Sequence, residues 1–255
     1  MNIELVDTFR QKLLDGGVVV GPFMKTCDPA FVEASGYSGF DFAILDMEHG
    51  PASLKMMENN VRAAQVSGLL PVIRVRDKQP ETISQALDIG AAAIQIPQIK
   101  SAAEVCEVVS AAKFHPKGER GMCRFVRAAH YSSRERNEYF RTANEMMIVL
   151  QLEGAEAIAN IDEIIAEAGY DILFVGPYDL SQSLGVPGDV MNPKVVDAIS
   201  EIVEKARSHG KVVGLFVDSI VNARFWKSKG VQYLSYSVDV GIYSEICAEI
   251  AGQLH

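Results

Sequence analysis

The chain has 255 residues, 48% of them hydrophobic and 22% charged, with a formal net charge of −9 and a pI near 5.1. That length allows one large domain or two small ones, and the acidic balance argues against nucleic acid and anionic membranes as partners. Four scattered cysteines (Cys27, Cys106, Cys123, Cys247) form no C-x-x-C pair, so they are expected as reduced thiols of a cytoplasmic protein. The start, Met-Asn-Ile-Glu-Leu-Val-Asp, lacks a signal-peptide core, and no apolar run reaches the roughly 18 residues of a membrane span.

Strand-like apolar runs recur at residues 18–24, 42–46, 71–75, 92–97, 147–153, 172–177, 212–217 and 233–238. Most gaps hold helix-like segments, at 53–66, 81–87, 102–112, 156–168 and 193–209. Several of these close on glycine: Gly68, Gly90, Gly169, Gly210 and Gly230. Eight strand–helix alternations in this length predict one α/β domain over residues 1–255, a (β/α)8 TIM barrel. A doubly wound sheet is the alternative, but no turn reads as a dinucleotide fingerprint. The longest irregular stretch, residues 115–141, carries six arginines. It is expected at a subunit contact or over a site.

In such barrels chemistry gathers at the C-terminal ends of the strands, and here those ends are polar. The second run ends in Asp46-Met47-Glu48-His49-Gly50-Pro51, and the third contains Pro71-Val72-Ile73-Arg74. The fifth ends in Gln151-Leu152-Glu153, and the sixth passes into Gly176-Pro177-Tyr178-Asp179-Leu180-Ser181. Glu153 and Asp179, at the exits of two successive strands, would face each other. Two such carboxylates with open positions between them suit a hard divalent cation, Mg²⁺, Mn²⁺ or Co²⁺. Each residue also has a plain structural reading. Asp46 and Asp179 could cap helices, His49 could be an ordinary loop residue, and Arg74 could ion-pair with a carboxylate.

Taken in order, these motifs resemble the HpcH/HpaI aldolase family, the class II pyruvate aldolases. They are joined by Gly90-Ala-x-x-Ile-Gln-Ile-Pro97, Arg120-Gly121 and Arg127-Ala-x-x-Tyr131. The likeness spans about residues 7–240. It implies a metal on Glu153 and Asp179, with pyruvate chelated through its carboxylate and keto oxygens. Gln151, Gly176, Pro177 and Arg127 would lie at the substrate, Arg74 at the enolate oxygen, and His49 with Asp46 would form an acid/base dyad. It also implies a homo-oligomer, a hexamer with an exchanged C-terminal helix, acting on a small oxo acid. Two departures stand out: Gly154-Ala155 where the family often has Thr-Arg or Thr-Lys, and Tyr178 where Ala is common.

The implied reaction is reversible cleavage of a 4-hydroxy-2-oxo acid to pyruvate and an aldehyde. Charge builds on the former keto oxygen, where a dication and Arg74 would meet it. His49 suits removal of the 4-hydroxyl proton. A Schiff-base mechanism would need a lysine inside the barrel, and the nearest are Lys25 and Lys100. A CoA-thioester lyase of the same fold and a non-catalytic oxo-acid-binding barrel are the other readings.

Overall fold

The computed structural model describes residues 3–255. Eight parallel strands close into a barrel in sequence order: β1 (Val19–Met24), β2 (Phe42–Asp46), β3 (Leu70–Arg74), β4 (Ala93–Ile96), β5 (Met147–Leu152), β6 (Ile172–Val175), β7 (Val212–Val217) and β8 (Tyr233–Val238). β8 pairs back onto β1. All eight coincide with the predicted runs, shifted by no more than two residues at any end. The predicted sixth strand stops two residues early, at Val175, because Pro177 has no N–H to give a ladder and Gly176-Pro177 begins a helix instead.

The helices are α1 (Ile3–Leu14), α2 (Pro29–Tyr37), α3 (Leu54–Val66), α4 (Pro80–Asp88), α5 (Ala102–Ala112), α6 (Arg136–Ala143), α7 (Ala155–Ala159), α8 (Ile161–Ala166), α9 (Pro177–Ser183), α10 (Pro193–Ser208), α11 (Ile220–Ser228) and α12 (Asp239–Leu254). Their starts follow local chemistry. Ser53, Ser101 and Ser219 each accept a backbone N–H three residues on. Gly68, Gly90, Gly169, Gly210 and Gly230 all take positive φ, the left-handed conformation that turns the chain back toward the next strand. The helix expected at 156–168 is two short pieces, α7 and α8. Between them Asn160 leaves helical geometry and donates its side-chain amide to the Lys100 carbonyl at 2.9 Å.

Strand side chains alternate between two cores. Ala43, Leu45, Ile73, Ile94, Ile148, Leu150, Leu173 and Leu215 pack against the helices. Phe42, Ile44, Leu70, Val72, Val149, Phe174 and Tyr233 fill the barrel, and Val6, Phe9 and Leu13 of α1 plug its N-terminal end. The inward positions after these apolar layers are Asp46, Arg74 and Gln95. They are neighbours by register, Asp46 opposite Arg74 and Arg74 opposite Gln95. A period of two therefore carries each strand from a hydrophobic interior to a polar rim at the C-terminal end.

The arginine-rich stretch is not a bare loop. A 3-10 segment (Arg127–Ser132) and α6 pack Ala128, Ala129, Tyr139 and Ala143 with Phe114 into a satellite core. Arg120 pairs with Asp88 at 2.6 Å and lies over the Phe114 ring. Among the described residues, no helix is long and apolar enough to cross a membrane.

Candidate active site

Asp46, at the last position of β2, is fully buried and holds the polar rim together. Arg74 reaches it from β3 through two parallel bonds, Nε to Oδ1 at 2.8 Å and Nη2 to Oδ2 at 2.6 Å, the fork geometry that suits guanidinium and carboxylate. Lys25, just past β1, donates its Nζ to the same Oδ2. The backbone N–H of Glu48 also donates to Asp46 Oδ1, at 3.0 Å. Burial alone would push the Asp46 carboxyl up. The bonds and charges of Arg74, then of Lys25, outweigh it and hold the group at about 2.

The expected dyad of His49 with Asp46 is not formed. Both Asp46 oxygens are already taken by two cations and backbone N–H groups, and the only bond between the two residues runs from the His49 backbone N–H to Oδ1 at 3.4 Å. The imidazole stands 65% exposed at the pocket mouth, its Nε2 3.9 Å from Glu48 Oε2. The tight turn that places it requires Gly50, where a Cβ would lie 2.3 Å from the Asp46 carbonyl oxygen. Arg74 does make the ion pair of its plain reading, and lines the pocket as well.

Across the rim, Gln95 donates to Gln151 Oε1, and Gln151 donates in turn to Glu153 Oε1. This amide chain fixes Glu153 just beyond β5. A Cβ on Gly176 would sit 3.3 Å from Glu153 Cγ, 3.8 Å from Asp179 Oδ2 and 3.9 Å from Gln151 Nε2. The bare glycine thus keeps open a space bordered by both predicted metal carboxylates. Burial, and then the charges of Glu48 and Asp179, raise the Glu153 carboxyl to about 7. Burial and neighbouring like charges both disfavour its ionised form.

Among the described residues, no three His, Cys, Asp or Glu side chains have the geometry to enclose a metal by themselves. Two carboxylates beside an open space leave coordination positions to water and substrate, the usual habit of Mg²⁺ and related ions. The donor set fits such a cation.

A pocket of about 210 Å³ opens over this rim. Its lining includes six predicted residues: His49, Arg74, Gln151, Gly176, Pro177 and Asp179. Phe23, Phe174 and Phe216 form an aromatic wall, and Tyr178 stands at the edge with its hydroxyl donating to Asp218 Oδ2 at 2.5 Å. That bond raises the Tyr178 phenol to about 12. Arg127 does not join the pocket of its own chain. It donates to the Ile89 carbonyl oxygen at 2.9 Å and to Gln65 Oε1 at 2.7 Å, tying the 3-10 segment to α3 and the end of α4. Sequence reasoning did not single out Glu48, whose Oε2 lies 2.9 Å from Arg74 Nη1, nor Gln95. The parity of β4 was the available signal for Gln95, a polar residue at an inward position of an otherwise apolar strand.

A parallel eight-stranded barrel with clustered carboxylates, an arginine and a small pocket at the C-terminal strand ends has the arrangement of a barrel enzyme's active site. The family described as HpcH/HpaI aldolase/citrate lyase matches residues 20–245, and the chain belongs to it. Over 250 residues it is 33% identical to a hydroxypyruvate/pyruvate aldolase from Pseudomonas aeruginosa, covering 97% of this chain and 92% of that one. It is 31% identical to a 2-keto-3-deoxy-L-rhamnonate aldolase from Escherichia coli, over 96% and 92% of the two chains. The crystal structure of an HpcH/HpaI aldolase/citrate lyase family protein from Burkholderia cenocepacia superposes with a TM-score of 0.92 at 29% identity, covering 97% of this chain and 98% of that one.

Proposed function

We propose that this protein is a divalent-metal-dependent aldolase that reversibly cleaves a 4-hydroxy-2-oxo acid to pyruvate and an aldehyde. The observation that carries the reading is the juxtaposition of Glu153 and Asp179 around Gly176, beside the pocket that Asp179, Gln151 and Arg74 line. Glu153 and Asp179 would hold a divalent cation (Mg²⁺, Mn²⁺ or Co²⁺), which when bound would supply Lewis-acid stabilisation of the charge that develops on a pyruvate-type oxo acid.

The side chains supply the rest. Gln151, itself held by Gln95, orients the Glu153 carboxylate. Gly176 and Pro177 leave the substrate room to approach. Arg74, locked by Asp46 and Glu48, presents positive charge to the C2 oxygen. When the C3–C4 bond breaks, its electron pair moves into the C2–C3 bond and charge passes to the C2 oxygen. The 4-hydroxyl proton goes to His49, whose exposed ring stands at the mouth near Glu48 and needs no Asp46 partner for this role. The aromatic wall receives the departing aldehyde. The relatives named above act on oxo acids, and this supports the reading over a CoA-thioester lyase.

The assembly is read as a homo-oligomer, a hexamer with α12 exchanged between subunits. Val240, Tyr243, Ile246, Ile250 and Leu254 of α12 are all exposed, an apolar stripe that a single chain leaves uncovered. The four free thiols are in keeping with a cytoplasmic protein. The test of function is pyruvate release from a panel of 4-hydroxy-2-oxo acids. Release that stops with EDTA and returns with Mg²⁺, Mn²⁺ or Co²⁺ supports the proposal, and release indifferent to chelation contradicts it.

A further inference from the structure

Lys25 has a place in this pocket that the reading above leaves without a task. It follows β1 directly, at the inward position after Val19, Gly21 and Phe23, so the same parity that brings Asp46 and Arg74 to the rim brings Lys25 there. Its side chain is 25% exposed and lines the pocket. Among the described residues, its Nζ finds one hydrogen-bond acceptor, Asp46 Oδ2, and the Phe23 ring lies 5.9 Å away on another side. An ammonium has three donors, so donors remain for the pocket.

That ammonium shares its anchor with a second cation. Arg74 Nη2 donates to the same Asp46 Oδ2 at 2.6 Å. Two cationic nitrogens that share one oxygen stand side by side on the rim. With Arg74 at the C2 oxygen, Lys25 is the neighbouring cation that lines the same pocket, beside the next oxygen-bearing carbon of such a substrate.

We propose that Lys25 is a further catalytic residue, its ammonium donating a hydrogen bond to the C4 oxygen of the substrate while Asp46 fixes its spacing from Arg74. The inference rests on the aldolase reading. In cleavage the hydroxyl proton passes to the base, the C3–C4 electron pair goes to the enolate, and C4 becomes the aldehyde carbon. Lys25 keeps its proton throughout and stabilises the negative charge that builds on the C4 oxygen before the bond breaks. In the reverse direction it polarises the aldehyde carbonyl. This role differs from imine formation, which would need a neutral amine in place of an ammonium paired with a buried carboxylate.

The experiment compares two reactions of the metal-loaded enzyme: cleavage of a 4-hydroxy-2-oxo acid, and exchange of the pyruvate methyl protons in D₂O followed by NMR. Exchange forms the same enolate without a C4 oxygen. Lys25→Met should lower kcat for cleavage at least about 100-fold more than it lowers exchange, the usual effect of losing one oxyanion donor. Lys25→Arg should recover at least about a tenth of the wild-type cleavage rate, with melting temperatures measured on both variants. If Lys25→Met does not fold, Lys25→Gln and Lys25→Arg give the same ratio.

Parallel loss of both reactions would overturn the proposal, because Lys25 would then act only by propping Asp46 and Arg74. Unchanged cleavage, or borohydride inactivation in the presence of pyruvate that Lys25→Met abolishes, would overturn it as well. Parallel loss and unchanged cleavage leave the metal-dependent aldolase reading standing, whereas borohydride trapping at Lys25 would replace it with an imine mechanism. A wild-type enzyme that cleaves no 4-hydroxy-2-oxo acid with any metal would instead bring down that reading, and this inference with it.

Discussion

Lys25 and Arg74 converge on a single oxygen, Oδ2 of the buried Asp46. Asp46 is therefore the anchor of two cations rather than the orienting partner of His49. A buried carboxylate with two cationic partners resists removal, because each partner left behind would be an uncompensated charge.

The first consequence is acid sensitivity. The Asp46 carboxyl titrates at about 2 in the folded protein, against 3.8 ordinarily. A depressed carboxyl contributes stability above its unfolded value and loses it as pH falls through the folded value. The difference corresponds to about 2 kcal/mol, present at pH 5 and lost between roughly pH 4 and 2. Urea unfolding at stepped pH should show this decline in the wild type. Asp46→Asn should be less stable at pH 7 by about 3–5 kcal/mol and should show a shallower acid decline. Parallel profiles for the two proteins would contradict the assignment.

Metal should stabilise the protein in a pH-dependent way. The Glu153 carboxyl is raised from 4.5 to about 7, so the metal-free protein loses stability as pH rises from about 4.5 through 7, and a bound cation relieves that loss. Mn²⁺ should raise the melting temperature more at pH 8 than at pH 5.5. Glu153→Gln and Asp179→Asn should each lose this metal response. An equal Mn²⁺ shift in both variants would rule these residues out as ligands.

His49→Ala should reduce kcat for cleavage by about 10²–10⁴-fold and leave measurable turnover. Loss of either metal carboxylate should go further, since it removes both substrate binding and charge stabilisation. Steady-state rates of the three variants decide the order, and equal residual rates would contradict it.

Arg127 gives a contrasting test. Its bonds to Ile89 and Gln65 predict that Arg127→Ala costs about 1–3 kcal/mol of stability through the acceptors it leaves unpaired, with KM within about threefold of wild type. A tenfold rise in KM at unchanged stability would place Arg127 at the substrate after all.

The barrel was legible because parallel strands buried on both faces read as apolar runs, and because Gly68, Gly90, Gly169, Gly210 and Gly230 mark the helix ends. The polar strand ends pointed to Asp46, Arg74, Gln151 and Glu153 by the same logic. Contacts between strands were not legible. That Asp46 pairs with Arg74 and Lys25 rather than with His49 depends on register and turn direction, which spacing along one strand does not specify. Arg127 was placed by its position in the family motif, and spacing along the chain does not show that it bonds Ile89 and Gln65 of its own chain. The helices α1, α2, α6 and α11 passed unnoticed, α6 because it lies inside the stretch read as irregular; the helix considered at Asp179 is α9, which Pro177 opens two residues earlier.

The most direct test of the central claim is a crystal structure with Mn²⁺ and pyruvate, using the anomalous signal of the metal. The account predicts one strong peak between the Glu153 and Asp179 carboxylates, with the pyruvate carboxylate and oxo oxygens on the metal and Arg74 beside the oxo oxygen. A fully occupied Mn²⁺ elsewhere in the pocket, or pyruvate bound away from these two carboxylates, would contradict it.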